Sequence, residues 1–293
     1  MKRTLFLALI LVTAALLLSA CTGTGVTTSW PGLTVSDGTA YISNGTVVRA
    51  VDYKNGIERW SFPAEPKNTQ FFYAAPAVTK ELLVVGDYTN VLHAVSPDTG
   101  VEQWTFAQAK RRWIGSATIL EDSLLAANTD GNLYHLDLRG NILWTAPLEQ
   151  QVWTHPLVHG ETVILAGLDK TIFGLDLATG GELWRLNTDG AVVSTPLMVE
   201  NMLYIGTFAK DLEAWDIQTG KQVWKATLDG IVWATPLLVG DTLYIGDQTG
   251  AVYAVSAKDG SFEKIGSVES PIVASPVLVN ERIVIVAENG SIT

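Results

Sequence analysis

Four tryptophans, Trp104, Trp144, Trp184 and Trp224, are spaced 40 residues apart, and Trp60 stands 44 residues before the first of them. Pro76, Pro156, Pro196, Pro236 and Pro276 keep the same phase, with Ser116 in the slot that lacks a proline. So do Gly100, Gly140, Gly180, Gly220 and Gly260, with Gly56 opening the series. Three residue types with unrelated backbone demands hold one register over most of the chain, which a fold without internal repetition does not require. The chain is an array of one unit, and its architecture follows from what that unit can form.

The unit reads as strand throughout. In residues 233–264, WATPLLVGDTLYIGDQTGAVYAVSAKDGSFEK, short runs of Val, Leu, Ile and Tyr are separated by Gly240-Asp241, Thr249-Gly250 and Asp259-Gly260, which are turn signals. A fourth run leads into the next unit, and no stretch has helical periodicity. Four antiparallel strands in about 40 residues make a propeller blade. The expected fold is therefore an all-β propeller of four-stranded antiparallel blades over residues 30–293. After the sixth unit, a seventh starts at Val273-Ala274-Ser275-Pro276 and runs only to the turn into its third strand. An open ring leaves sheet edges and an apolar blade face in water. The expectation is a closed ring of seven or eight blades of which this chain is a part.

Each unit carries a sharper signature. Residues 50–60 read AVDYKNGIERW, 94–104 AVSPDTGVEQW, 174–184 GLDLATGGELW and 214–224 AWDIQTGKQVW. This resembles the PQQ-type β-propeller family, whose repeat is A-x-D-x-x-T-G-x-x-x-W. Glycine in the turn permits a positive φ, the aspartate accepts hydrogen bonds from turn amides, and the small first residue lets sheets approach. The tryptophan is placed to wedge against the turn of an adjacent blade. Burying an indole removes about 150–250 Å² from water, at most roughly 4–6 kcal/mol at about 25 cal/mol/Å². Trp60, Trp104, Trp144, Trp184 and Trp224, with Gly56, Gly100, Gly140, Gly180 and Gly220, are read as blade-docking positions. Three departures stand out: repeat three is one residue short between Asp137 and Gly140, repeat six has Ser256 and Lys264 for the aspartate and tryptophan, and Pro63 to Asn68 form a longer first loop.

Residues 1–20 are read as a signal segment. Lys2 and Arg3 precede an apolar run from Leu5 to Leu18, the length of a signal-peptide core and short for a bilayer span. Leu18-Ser19-Ala20-Cys21 resembles the lipobox of bacterial lipoproteins, which implies acylation of Cys21 and a lipidated tether over residues 21–29; the alternative is a plain secretory peptide with an incidental cysteine. Thr22, where some lipoproteins carry an inner-membrane aspartate, is compatible with an outer-membrane address; the outer face of a cell membrane is the alternative. Cys21 is the only cysteine, so no disulfide can form within the chain. Without Lys2 and Arg3 the chain has 17 basic against 30 acidic residues, which disfavours nucleic acid and anionic headgroups as partners.

No catalytic constellation is visible. His155 and His159 are four apart, but on a strand and its turn they diverge, and no transition-metal spacing occurs. Neither a phosphate loop before a helix nor a nucleophile elbow is present. The quinone-dependent dehydrogenases that share the repeat carry a vicinal cysteine pair that this chain lacks. No cofactor and no metal are expected.

One feature rises above the scaffold. Three residues before each proline slot stand Tyr73, Trp113, Trp153, Val193, Trp233 and Val273, expected to begin the innermost strands and gather at one mouth of the central channel. Two readings stand: an aromatic funnel that grips an extended peptide, sugar or other apolar ligand, with His155, Arg111 and Arg112 nearby, or plugs between blades. By resemblance, the expected function is a monomeric, lipid-anchored extracytoplasmic scaffold that binds other proteins, as propellers of outer-membrane protein assembly do, without enzyme activity. The alternatives are a quinoprotein dehydrogenase or a sensor propeller for peptide or carbohydrate.

Overall fold

In the first repeat the strands Gly32–Ser36, Thr39–Asn44, Val47–Asp52 and Glu58–Phe62 follow one another as an antiparallel meander. The computed structural model describes residues 32–293; the signal segment, Cys21, the tether and Trp30 lie outside them. The same strand order recurs at 77–106, 118–147, 157–187, 197–227 and 237–267, and the strands Val277–Val279 and Arg282–Val284 begin a seventh sheet. Among the described residues every regular element is a strand.

Burial explains why the middle strands are continuously apolar instead of alternating. Leu83–Gly86 and Ser123–Asn128 are buried at every position, because each blade is covered on both faces by its neighbours. Among the described residues the core is accordingly divided into six apolar clusters, each shared by two consecutive blades. Val48, Phe62, Leu83 and Val95 join blades one and two, and Val252, Ile272, Ile285 and Ala287 join blades six and seven. The outermost strand of blade six, Phe262–Ser267, where Lys264 replaces the docking tryptophan, is exposed along its whole length. Leu33 and Val35 in blade one and Val277 and Leu278 in blade seven are also about half exposed (49–57%).

Repeat three departs from the sequence reading. Its proline slot is held by Ala117, not Ser116: the innermost strands begin at Ala77, Leu157, Leu197, Leu237 and Val277, each one residue after a proline, and at Thr118. The extra residue lies between Phe106 and Trp113, and the short turn, in which the Gly140 N–H bonds Asp137 O at 3.0 Å, takes it back. Insertion and deletion cancel, so the tryptophan spacing conceals both.

Candidate functional site

The indoles set the blades first. Trp60 Nε1 donates to Pro97 O (2.8 Å), Trp104 to Leu138 O (2.8 Å), Trp144 to Leu177 O (3.1 Å) and Trp224 to Ala257 O (3.0 Å), each in the following blade. The rings lie flat on the turn glycines. A Cβ on Gly100 would stand 2.8 Å from Trp60, and on Gly140, Gly180 and Gly260 2.6–2.7 Å from Trp104, Trp144 and Trp224. Gly100 also has φ +72°, so a side chain there is refused twice. Gly56 has φ +74° and faces open space. Trp184 breaks the series: its ring occupies the space a Cβ on Gly174 of its own blade would need, and Gly220 meets only Leu186 at 3.8 Å. The contact between Trp184 and the Gly220 turn predicted from the sequence is therefore corrected, although Trp184 still packs between blades four and five. Trp215, at the position of Val95 and Val255, shares the cluster between blades four and five with Trp184.

Side chains from six repeats converge on a cavity of about 300 Å³. Tyr73, Ser116, Trp153, His155, Thr195 and Ser275 are among its lining. They belong to the irregular segments that precede the innermost strands, not to those strands as the sequence suggested. The wall is laced at 40-residue steps: His155 N–H donates to Thr195 Oγ1 (3.3 Å), Thr195 Oγ1 meets His155 Nδ1 (2.8 Å), Thr235 Oγ1 donates to Thr195 O (2.6 Å) and Thr235 N–H to Ser275 Oγ (3.0 Å). The Thr195 hydroxyl thus engages both the backbone N–H and the ring Nδ1 of His155 and ties the two repeats together. Burial pushes the His155 pKa down. The ring is open to solvent yet surrounded by protein, the position of a side chain in a channel wall.

Two of the predicted mouth aromatics are elsewhere. Trp113 is 1% exposed and packs on Phe106 (6.3 Å) and Tyr134 (5.8 Å). Its backbone N–H donates to Asp87 O, the same link that Val192, Val232 and Ile272 make to Gly167, Thr207 and Asp247, so it fills the core slot and Ile114 takes the mouth. Trp233 packs tilted against Phe208 (centroids 4.8 Å apart) and is not among the residues lining the cavity. Tyr73 lies parallel to Phe71 (6.1 Å) and edge-on to Tyr88 (4.7 Å), and the Arg112 guanidinium covers Tyr88 at 5.3 Å. Arg111, Arg112 and Trp153 border an adjoining cleft.

Polar groups that sequence spacing did not reveal sit in the blades. Asp87 is fully buried and accepts from Gln70 Nε2 (3.0 Å), Thr89 Oγ1 (2.8 Å), Thr89 N–H (2.8 Å) and Val91 N–H (2.9 Å), with His93 Nε2 at 3.1 Å. Burial raises its pKa, but the hydrogen bonds outweigh this and hold it below the ordinary value. The other His93 nitrogen faces Glu102 Oε1 at 2.7 Å. Where the segment after blade four meets blade five, oxygens of Asp189, Asp211 and Glu213 lie within 4.8 Å of one another; Lys225 Nζ pairs with Asp189 at 2.6 Å, and burial, with the two aspartates, pushes Glu213 up. His159 is exposed at a strand end, away from the cavity lining.

A family model described as outer membrane protein assembly factor BamB matches residues 17–152 and 139–293. The chain is 35% identical over 78 residues to the serine/threonine-protein kinase AfsK of Streptomyces griseus, covering 26% of this chain and 10% of the kinase. It is 26% identical over 134 residues to outer membrane protein assembly factor BamB of Vibrio cholerae, covering 39% of this chain and 34% of that protein. These matches span about a tenth and a third of the two relatives' lengths. In fold, it is similar to the crystal structure of BamB from Moraxella catarrhalis (TM-score 0.63, 16% identity, 89% of this chain and 94% of that one). It is also similar to the computationally designed Ika8 protein (TM-score 0.68, 13% identity, 90% and 95%). The repeat that builds the blades is the segment the family model matches in both halves of the sequence, and the chain belongs to the PQQ-like propeller family of outer membrane protein assembly factor BamB.

Proposed function

We propose that the protein is a lipid-anchored scaffold facing the periplasm that binds other proteins in outer-membrane protein assembly and has no catalytic activity of its own. The observation that carries this reading is the reach of the family match, from residue 17 to 293, across a segment that contains Leu18-Ser19-Ala20-Cys21. Acyl chains on Cys21 supply a membrane tether, which holds stably when more than one chain is attached. The acidic body then stands off anionic headgroups, leaving the aromatic cavity mouth for partners. A calcium-bound quinone needs carboxylate or amide ligands, whereas the cavity wall offers hydroxyls, one imidazole and apolar groups, a donor set that does not fit.

The match to a stretch of a serine/threonine-protein kinase supports a second reading, in which the propeller is a ligand-sensing module. Affinity capture from membranes with the full-length protein separates the two: a scaffold retains a reproducible protein complex, and repeated recovery of the protein alone would refute it. Cys21→Ser is expected to move the protein from the membrane to the soluble fraction. Dye-linked alcohol oxidation after addition of quinone and calcium would overturn the non-catalytic part.

A further inference from the structure

The loop that carries the extra residue of repeat three also carries the cavity's charge. Lys110, Arg111 and Arg112 follow one another there, in a chain with 19 basic and 30 acidic residues. All three are exposed and, with Asn90, Gln151 and Trp153, border a cleft of about 410 Å³. The cleft shares Ile114 and Trp153 with the axial cavity. Its loop is pinned along the backbone. Asn128 Nδ2 donates to Arg111 O (2.8 Å), Thr129 Oγ1 to Arg112 O (2.9 Å), and the Lys110 N–H donates to Asp130 Oδ2 (2.9 Å).

Five of the described lysines and arginines pair with a carboxylate, and this triplet belongs to those that do not. Arg49, Arg59, Arg185, Lys225 and Lys264 each pair with a carboxylate. Among the described residues no carboxylate forms an ion pair with Lys110, Arg111 or Arg112. The Asp130 carboxylate is engaged by the Asn132 N–H (3.1 Å) and the Tyr134 hydroxyl (2.8 Å) as well as by Lys110 N–H. Guanidinium groups without a carboxylate partner, one of them resting on the Tyr88 ring and both bordering the cleft beside partly buried Trp153, suit carboxylates borne on an apolar segment.

We infer that this cleft binds an extended acidic segment of a partner protein, with its carboxylates on Arg111 and Arg112 and its aromatic side chains against Trp153. The class of occupant rests on the protein-binding reading above. A membrane surface is disfavoured as occupant because the rest of the body is acidic.

The test is fluorescence anisotropy of the full-length protein in detergent, with a fluorescein-labelled peptide of repeated Asp-Tyr and a matching Lys-Tyr peptide. The Asp-Tyr peptide is expected to bind, to weaken with added salt, and to lose about tenfold in affinity with Arg111→Gln/Arg112→Gln. Arg111→Lys/Arg112→Lys should retain most of the binding, and the melting temperature should not move. Equal binding by the Gln variant, equal binding of the Lys-Tyr peptide, or capture by phosphatidylglycerol vesicles without peptide binding would overturn the inference. Affinity capture from membranes separates it from the broader reading. If the Gln variant recovers the same complex as the wild type, this inference fails and the scaffold stands; if the wild type recovers none, the scaffold reading fails.

Discussion

His135 occupies the slot that Ala50, Ala94, Ala214 and Ala254 fill in other blades and Gly174 fills in blade four. It is buried, edge-on to Trp144 at 4.8 Å, and neither ring nitrogen has a partner among the described residues. Burial lowers its pKa, so between the folded value and the unfolded value of about 6.5 the unfolded chain binds more protons. Stability should therefore fall as pH drops through that window and level off below the folded pKa. The expected result for His135→Ala is a smaller loss of stability between about pH 8 and about pH 5 than the wild type shows. His155 shifts in the same direction but is common to both proteins and cancels. Urea titrations at the two pH values measure this, and parallel losses would exclude the imidazole as the source. The pairing of His135 with Trp144 puts it in the small-residue slot, which the one-residue-short turn of repeat three concealed in the sequence; that no group answers its nitrogens depends on the neighbours brought by folding.

Blades and turns were legible because the 40-residue spacing, the Gly-Asp and Thr-Gly turns and the apolar runs all agree. What the spacing hid was compensation: the extra residue before Trp113 and the short turn at Asp137 leave Trp104 and Trp144 in phase while moving Trp113 into the core. The reversal of Trp184 was hidden for another reason, since it depends on two residues on different strands. Gly174 leaves room for the ring, and Trp215 crowds the interface with blade five. Gly174→Ala should force the indole against the new methyl group and cost about 1–3 kcal/mol, as overpacking does. Adding Trp215→Val opens the alternative position over Gly220, so the double variant should lose less than the sum of the two single losses. A double-mutant cycle from urea unfolding reads the coupling; strict additivity would mean that Trp215 does not direct the indole.

At the scale of the whole molecule, the distribution of its core decides how it comes apart. Each apolar cluster belongs to two consecutive blades, which makes stability a sum of blade terms and nearest-neighbour terms, as in other repeat proteins. The hydrogen bonds around the axis add links of the same kind, one repeat to the next, through His155, Thr195, Thr235 and Ser275. Thr195 stands in the middle of this chain of links and is nearly buried at 9% exposure. Thr195→Val keeps its shape but removes the acceptor for the His155 N–H and the hydroxyl partner of Nδ1, a loss of about 1–3 kcal/mol if water does not replace them. Because His155 opens to the cavity, water can reach it, and the expected loss lies near the lower end, about 1 kcal/mol. The informative outcome is the form of the transition. If neighbour terms hold the blades in one cooperative unit, tryptophan fluorescence and far-UV circular dichroism should shift together in Thr195→Val. If the two signals separate, blades on either side of Thr195 unfold independently, and the axial links do not couple them.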